Sequence, residues 1–79
     1  MPTVLRTQGF RFYFYSHEGG EPAHVHIDRG GASAKIWLQA VSVAGNAGFA
    51  AKDLGTALRL TRKHQSQLLE AWNEFFGSA

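Results

Sequence analysis

The spacing of the apolar residues changes once along this chain, and the change separates a strand-forming part from a helix-forming part. Up to about residue 48, apolar and other residues alternate in short runs such as Phe10–Tyr15, a period typical of strands. Across residues 51–76 the apolar residues recur every three or four positions, as they do on one side of a helix. We therefore expect an α+β fold, in which an antiparallel sheet of three to four strands carries one long C-terminal amphipathic helix packed on one face.

Glycine and proline mark the ends of the predicted elements. Gly30 and Gly31 separate two strand-like runs and predict a tight hairpin with a primed turn. Gly77 is placed to end the helix, although two helices with a kink near His64 are an alternative to one. The strands are predicted at about 3–6, 10–15, 23–29 and 33–38, with an additional strand at 40–44 left open, and the helix at about 51–76.

Length and composition limit the classes of protein. A chain of 79 residues predicts a single domain over residues 1–79. The absence of cysteine excludes disulfides, zinc ribbons and thiol nucleophiles, and it fits a reducing cytoplasm. No apolar run approaches the ~18 residues of a membrane helix, so we expect no membrane association. A net charge of +2 permits nucleic-acid binding without requiring it.

The alternation in the predicted strands assigns their side chains to two faces. Phe10, Phe12 and Phe14 share one face, which we interpret as the face covered by the helix. The uncovered face then combines cations, imidazoles and large aromatic rings, and a shift of one residue in any strand would reverse that strand's assignment. Its residues are Arg11, Tyr13, Tyr15, His24, His26, Lys35 and Trp37.

These residue types suit contact with RNA. Bases stack on tyrosine and tryptophan rings with about 1–3 kcal/mol each, while Arg11 and Lys35 could hold phosphates. His24 and His26 are the candidate acid–base pair, because imidazole titrates closest to neutral pH. In the alternative interpretation, the rings cap the exposed side of a small sheet or pack against a partner.

The His24-Val25-His26 triplet also has the spacing of a metal-binding pair, since residues i and i+2 of a strand project to one side. No spacing fixes a third ligand, and a structural or an acid–base role is therefore favoured over metal binding; no cofactor is expected. We interpret His17 as a solvated loop residue and His64 as a structural residue of the helix. The candidates for a third ligand are His17, Glu18, Glu21 and Asp28.

Several segments together resemble a known family. They are Gly9–Tyr15, Glu21–His26, Ala34–Leu38 and Leu68–Gly77, and in this order they are similar to the small bacterial family called domain of unknown function 4160. The family's motif residues match at His24, His26, Lys35 and Trp37. Two positions depart from the family pattern, at Ala23 and at Ala50, where a helix-capping serine or threonine is frequent.

The resemblance implies a stand-alone cytoplasmic protein of a prokaryote. Members are commonly encoded beside a second small protein and look like toxins of a toxin–antitoxin pair, which implies an antitoxin-like partner. The leading hypothesis is therefore a toxin-like module that acts on RNA or the translation machinery, and as an enzyme it would be a metal-independent endoribonuclease. Its rivals are a non-catalytic protein that binds a cognate small protein or a second copy of itself, as a homodimer, and a protein that binds a divalent metal through His24 and His26.

Overall fold

A computed structural model describes residues 3–77, which form a five-stranded sheet followed by two helices. The strands follow the chain order across the sheet, and each pairs antiparallel with the next. The prediction of an α+β fold with an antiparallel sheet is confirmed, but the count of three to four strands is wrong. The strands are β1 (Thr3–Thr7), β2 (Phe10–Tyr13), β3 (His24–Arg29), β4 (Ala32–Trp37) and β5 (Ser42–Ala47).

Tight turns explain why consecutive strands pair. Gln8 and Gly9 join β1 to β2 with φ values of 53° and 83°, the left-handed conformation that short hairpin loops require. Gly30 has a φ of 59° in the two-residue loop between β3 and β4, which confirms the predicted hairpin. The two edge strands are irregular, because Val4 and Ala44 each stand opposite no residue of the neighbouring strand.

The predicted single helix is in fact two, α1 (Ala51–Lys63) and α2 (Gln65–Phe76), with the break at His64. The hydrogen bonds of two side chains account for the break. The Thr61 hydroxyl donates to the Ala57 carbonyl at 2.8 Å, a contact that often bends helices. The Gln65 amide donates to the carbonyls of Leu38 and Gln39 at 2.6 and 3.1 Å and so fixes the start of α2 to the end of the sheet.

The core lies between the sheet and the helices. Phe10, Phe12 and Phe14 are at most 1% exposed, so the face that carries them is the covered one, as predicted. Burial of such a side chain stabilises the fold by about 1.5–3 kcal/mol. Within residues 3–77, neither helix is long and apolar enough to cross a lipid bilayer. The other buried apolar side chains of this core are Val25, Ile27, Ala34, Ile36, Leu38, Phe49, Ala57, Leu60, Leu68 and Trp72.

Candidate functional site

The register of the sheet brings the predicted site residues together on one face. Tyr13 stands directly opposite His26, and His26 stands directly opposite Lys35, so the three form a row across β2, β3 and β4. In the same way His24 is opposite Trp37 in the neighbouring row. Opposite residues have Cβ atoms about 4.5–5.5 Å apart. These side chains are therefore neighbours on one face of the sheet, although the strands that carry them are separated in the sequence.

A loop carboxylate joins the two histidines. The same oxygen of Glu18, Oε1, lies 2.9 Å from Nε2 of His24 and 2.6 Å from Nε2 of His26. All three side chains are shielded, with exposures of 13% for Glu18, 0% for His24 and 14% for His26. Charge-assisted hydrogen bonds of this length in a shielded place are strong. Glu18 thereby fastens the loop that follows β2 to strand β3.

The hydrogen bonds determine the protonation of His24. Its Nδ1 lies 2.9 Å from the carbonyl oxygen of Pro22, which can only accept, so Nδ1 carries a proton. Its Nε2 faces the Glu18 carboxylate, which also only accepts, so Nε2 carries a second proton. His24 is therefore a buried imidazolium paired with Glu18. The ring also packs against Trp72 of α2, with ring centres 4.9 Å apart.

His26 has one ring nitrogen free for chemistry. Its Nε2 donates to Glu18, which leaves the lone pair of the neutral ring on Nδ1. Nδ1 makes no hydrogen bond within residues 3–77, where no fully buried side-chain nitrogen or oxygen lacks a partner, so this atom meets solvent. A carboxylate on one ring nitrogen and an open position on the other is the arrangement of a general base.

A cavity of about 310 Å³ lies beside His26. Gly45 of β5, which stands opposite Lys35, leaves room there because no atom lies within 4 Å of the place where its Cβ would be. The volume is at the lower end of those that hold small ligands. The cavity is lined by Tyr13, Tyr15, His26, Ser33, Ala34, Lys35, Gly45, Asn46 and Ala47.

The two cations predicted to hold phosphates, Arg11 and Lys35, already have partners. Lys35 Nζ donates to Glu21 at 2.6 Å and lies 4.8 Å from the centre of the Trp37 ring. Arg11 donates to Thr3 at 2.8 Å, and its guanidinium carbon lies 4.5 Å from the centre of the Tyr13 ring. Glu18, Glu21 and Asp28 are also nearby and compete with a phosphate for these two cations. Phosphate attraction by this face is therefore weaker than the sequence pattern indicated.

Two shifted pKa values show which groups keep a single protonation state at neutral pH. Burial raises the pKa of the Tyr13 hydroxyl, and its neighbours Tyr15 and Asp28 raise it further, so Tyr13 remains a neutral donor to Asp28 at 2.9 Å. Burial also raises the pKa of Glu18, but the hydrogen bonds and charges of His24 and His26 outweigh it and lower that pKa below its ordinary value. Glu18 is therefore ionised throughout the neutral range.

Glu18, His24 and His26 are also the group of described residues that could hold a metal ion, with ligand atoms within 4.8 Å of one another. Zinc lies about 2.0–2.2 Å from nitrogen and oxygen ligands, which sets neighbouring tetrahedral ligands roughly 3.3 Å apart. The oxygen–nitrogen distances of 2.6 and 2.9 Å are shorter than this and have the length of hydrogen bonds. The present geometry is that of an ion pair.

The structure shows that Glu18 is central to the site, whereas the sequence offered it only as one of four candidates for a third metal ligand. Glu18 joins both histidines, whereas His17 is exposed in the same loop, as predicted. The signal was present but weak, because two histidines on one side of a strand need an acceptor and the preceding loop contains two carboxylates. The structure also encloses His24, which was expected on the uncovered face, beneath Glu18 and Trp72.

Comparison with known proteins gives a family and no activity. No curated protein and no solved structure shows significant similarity to the chain. A family model described as domain of unknown function (DUF4160) matches residues 9–73, which include the entire row of site residues and the loop with Glu18. The match covers most of the 79 residues and agrees with the resemblance of the sequence motifs. The chain therefore belongs to the family of domains of unknown function DUF4160.

Proposed function

We propose that this protein is a toxin-like endoribonuclease in which His26 is the general base. The observation that carries the proposal is the contact of 2.6 Å between Glu18 and Nε2 of His26, with Nδ1 of the same ring open to solvent. A carboxylate in this position holds the tautomer of the imidazole and stabilises the imidazolium that forms when the base takes a proton. RNA supplies a suitable proton, on the 2′-hydroxyl next to the phosphate.

The reaction needs neither a metal nor another co-reactant than water. His26 Nδ1 removes the proton from the 2′-hydroxyl while its oxygen forms a bond to phosphorus. The bond from phosphorus to the 5′-oxygen breaks, and that oxygen takes a proton from water. The products are a 2′,3′-cyclic phosphate and a new 5′-hydroxyl end, and the imidazolium returns its proton to solvent. General base catalysis of this kind contributes about 10²–10⁴-fold.

Binding would depend more on stacking than on charge. Tyr15 and Trp37 are half-buried and present ring surface, and each stacked base contributes about 1–3 kcal/mol. Arg11 and Lys35 are the phosphate contacts, each already held by a polar neighbour. Two phosphate contacts on single-stranded RNA give a slope of about +1.4 in log Kd against log salt concentration, so binding weakens as salt rises.

His24 takes a supporting role in this proposal. Its ring is fully buried and both of its nitrogens are occupied, so it positions Glu18 and does not touch the substrate. The acid–base role that the sequence assigned to the pair thus falls to His26 alone. A cytoplasmic setting and a cognate antitoxin-like partner that blocks this face remain part of the proposal.

The test uses His26→Gln, with His17→Gln as the matched control in the exposed loop. Expression of the wild type and the control should arrest bacterial growth and yield RNA fragments with cyclic phosphate ends, and His26→Gln should do neither while it remains folded by circular dichroism. Co-expression of the small protein that is encoded beside it should restore growth. Undiminished arrest by folded His26→Gln would remove the catalytic role, as would a wild type that cleaves no RNA.

A non-catalytic interaction module is the second candidate, and the charge of the face favours it. Arg11 and Lys35 are already held by polar neighbours, which makes this face a poor phosphate site but is compatible with a protein surface. In this case His26→Gln and the wild type would bind the neighbouring protein equally, and neither would release cyclic phosphate ends. Binding by isothermal titration calorimetry together with the analysis of RNA ends separates the two functions.

A further inference from the structure

A groove on another part of the molecule runs between the edge strand β1 and helix α2. Two adjoining cavities of about 460 and 450 Å³ form it. Val4 and Ala71 line both cavities, and Phe14 and Phe75 add aromatic surface to the first. Phe75 is 44% exposed, although it is among the largest apolar side chains of the protein. The floor of the groove is therefore apolar and open.

The wall made by α2 carries an unfavourable arrangement of charge. Glu70 and Glu74 both line the groove, stand four residues apart on one side of the helix and form no ion pair within residues 3–77. Like charges at this spacing repel each other. Glu74 also lies in the last turn of α2, where the helix dipole disfavours anions and where no basic residue compensates. A bound cation would relieve both effects.

The opposite wall offers backbone hydrogen bonds. β1 lies at the edge of the sheet and pairs only with β2, so the outward N–H and C=O groups of Leu5–Thr7 have no strand partner. The unpaired residue Val4 turns its side chain into the groove. A free strand edge next to a helix and an apolar cavity is the setting in which extended peptides bind by strand addition.

We propose that this groove binds an extended segment of a partner protein that carries lysine or arginine. The segment adds a strand to β1, places an apolar side chain on Phe75 and Val4, and places a cation two residues away between Glu70 and Glu74. Side chains two apart in a strand project to one side, so the apolar and the basic residue both face α2. The remaining residues of the segment project to the other face of the sheet, which carries Arg6 and Arg11, and they are uncharged. The proposal does not depend on the proposed ribonuclease activity.

The probe is a synthetic ten-residue peptide with threonine at every second position and valine and lysine in turn at the others. Its counterpart has glutamate in place of lysine. We expect the lysine peptide to bind with a Kd on the order of 10–100 μM by fluorescence anisotropy, and the glutamate peptide to bind at least about tenfold more weakly. Amide hydrogen exchange should slow at Leu5–Thr7 in the complex, because those groups enter the new ladder.

Matched variants locate the charge contact. Glu70→Gln/Glu74→Gln and Ser66→Lys/Asn73→Lys each raise the charge of α2 by two, and the latter pair of residues is exposed and lines neither cavity. The first variant should lose at least about tenfold in affinity for the lysine peptide, and the second should lose no more than about twofold. Phe75→Ala should weaken both peptides, which separates the apolar contact from the ionic one.

Several outcomes would overturn the proposal. They are equal affinity of the two charge variants, equal affinity of the two peptides, unchanged exchange at β1, and no binding of the lysine peptide at about millimolar concentration. Self-association of the free protein that Phe75→Ala abolishes would also overturn it, since the occupant would then be a second copy. A wild type without ribonuclease activity that still binds the lysine peptide would refute the proposed function alone.

Discussion

Replacement of Glu18 by glutamine tests the ion pair at the centre of the site. The variant keeps the size of the side chain and an oxygen acceptor, but it removes the negative charge that both histidines face at 2.6 and 2.9 Å. His24 is then left as a cation of 0% exposure without a counter-ion, or it gives up a proton and one hydrogen bond. Either outcome destabilises the folded state.

The magnitude follows from the two contacts. Hydrogen bonds to charged groups contribute about 1.5–3 kcal/mol each, and glutamine retains about half of their sum, so Glu18→Gln should cost about 1.5–3 kcal/mol. For a domain of this size 1 kcal/mol lowers the melting temperature by about 4–8 °C, which gives a fall of about 6–24 °C. A stability of about 4–12 kcal/mol for 79 residues keeps most of that range folded at 25 °C.

Glu21→Gln in the same loop is the matched control. Glu21 pairs with Lys35 at 2.6 Å, but the two side chains are 42% and 25% exposed. Exposed pairs contribute about 0–1 kcal/mol, so this variant should melt within a few degrees of the wild type. Urea unfolding followed by circular dichroism measures both changes. If the two variants differ by less than about 0.5 kcal/mol, the interpretation of Glu18 as the buried anion of the site is refuted.

Four further predictions use other parts of the molecule. Gly19→Ala should destabilise by about 1–3 kcal/mol in thermal unfolding, because the new Cβ would lie 2.7 Å from the Phe76 ring, whereas Gly20→Ala meets no atom within 4 Å and should change little. Gly55→Ala in α1 should stabilise by about 1 kcal/mol, and a lower melting temperature would contradict the free space found there. Because the pKa of Glu18 is lowered in the folded protein, Glu18 contributes fully to the free energy of unfolding above pH 4.5, its ordinary pKa. This contribution is lost as the pH falls through the pKa of Glu18 in the folded protein. Urea midpoints should therefore fall more steeply below pH 4.5 for the wild type than for Glu18→Gln. Excess zinc should leave the melting temperature unchanged, because the Glu18 oxygen already lies between the imidazoles; stoichiometric zinc by metal analysis after dialysis would favour the metal site instead.

The period of the apolar residues contained most of the fold. Alternation placed the three phenylalanines of residues 10–14 on the covered face, and the glycine pair placed the hairpin at residue 30. The sequence left open a fifth strand at residues 40–44, whereas the strand in the structure is β5, Ser42–Ala47. The bounds were not predicted because all six residues of β5 are exposed and only Val43 has a large apolar side chain. A strand that buries nothing leaves no alternation to read.

The break between the helices was hidden for a different reason. The apolar stripe continues through His64, since residues on both sides of it pack on the same core. What ends α1 is a pair of polar contacts, from Thr61 to its own helix and from Gln65 to the carbonyls that follow β4. Contacts between segments 26 or 27 residues apart have no local signature.

The sequence predicted which residues form the site better than it predicted how they are arranged. Parity placed Tyr13, His26 and Lys35 on one face, and the register then aligned them. Parity could not show that a loop would cover His24, because the path of a loop depends on which side chains it meets. It also could not show that Lys35 would be paired with Glu21.

The doubly protonated His24 has a consequence for how the protein opens. This one ring contacts the loop through Glu18 and Pro22, strand β3 through its own backbone, and helix α2 through Trp72. A loop held in this way cannot swing out as a lid while the sheet and helix stay in place. Its departure exposes a buried cation and uncovers part of the core. The site is therefore as rigid as the fold itself, and its loop should exchange with the unfolded state only when the whole domain does.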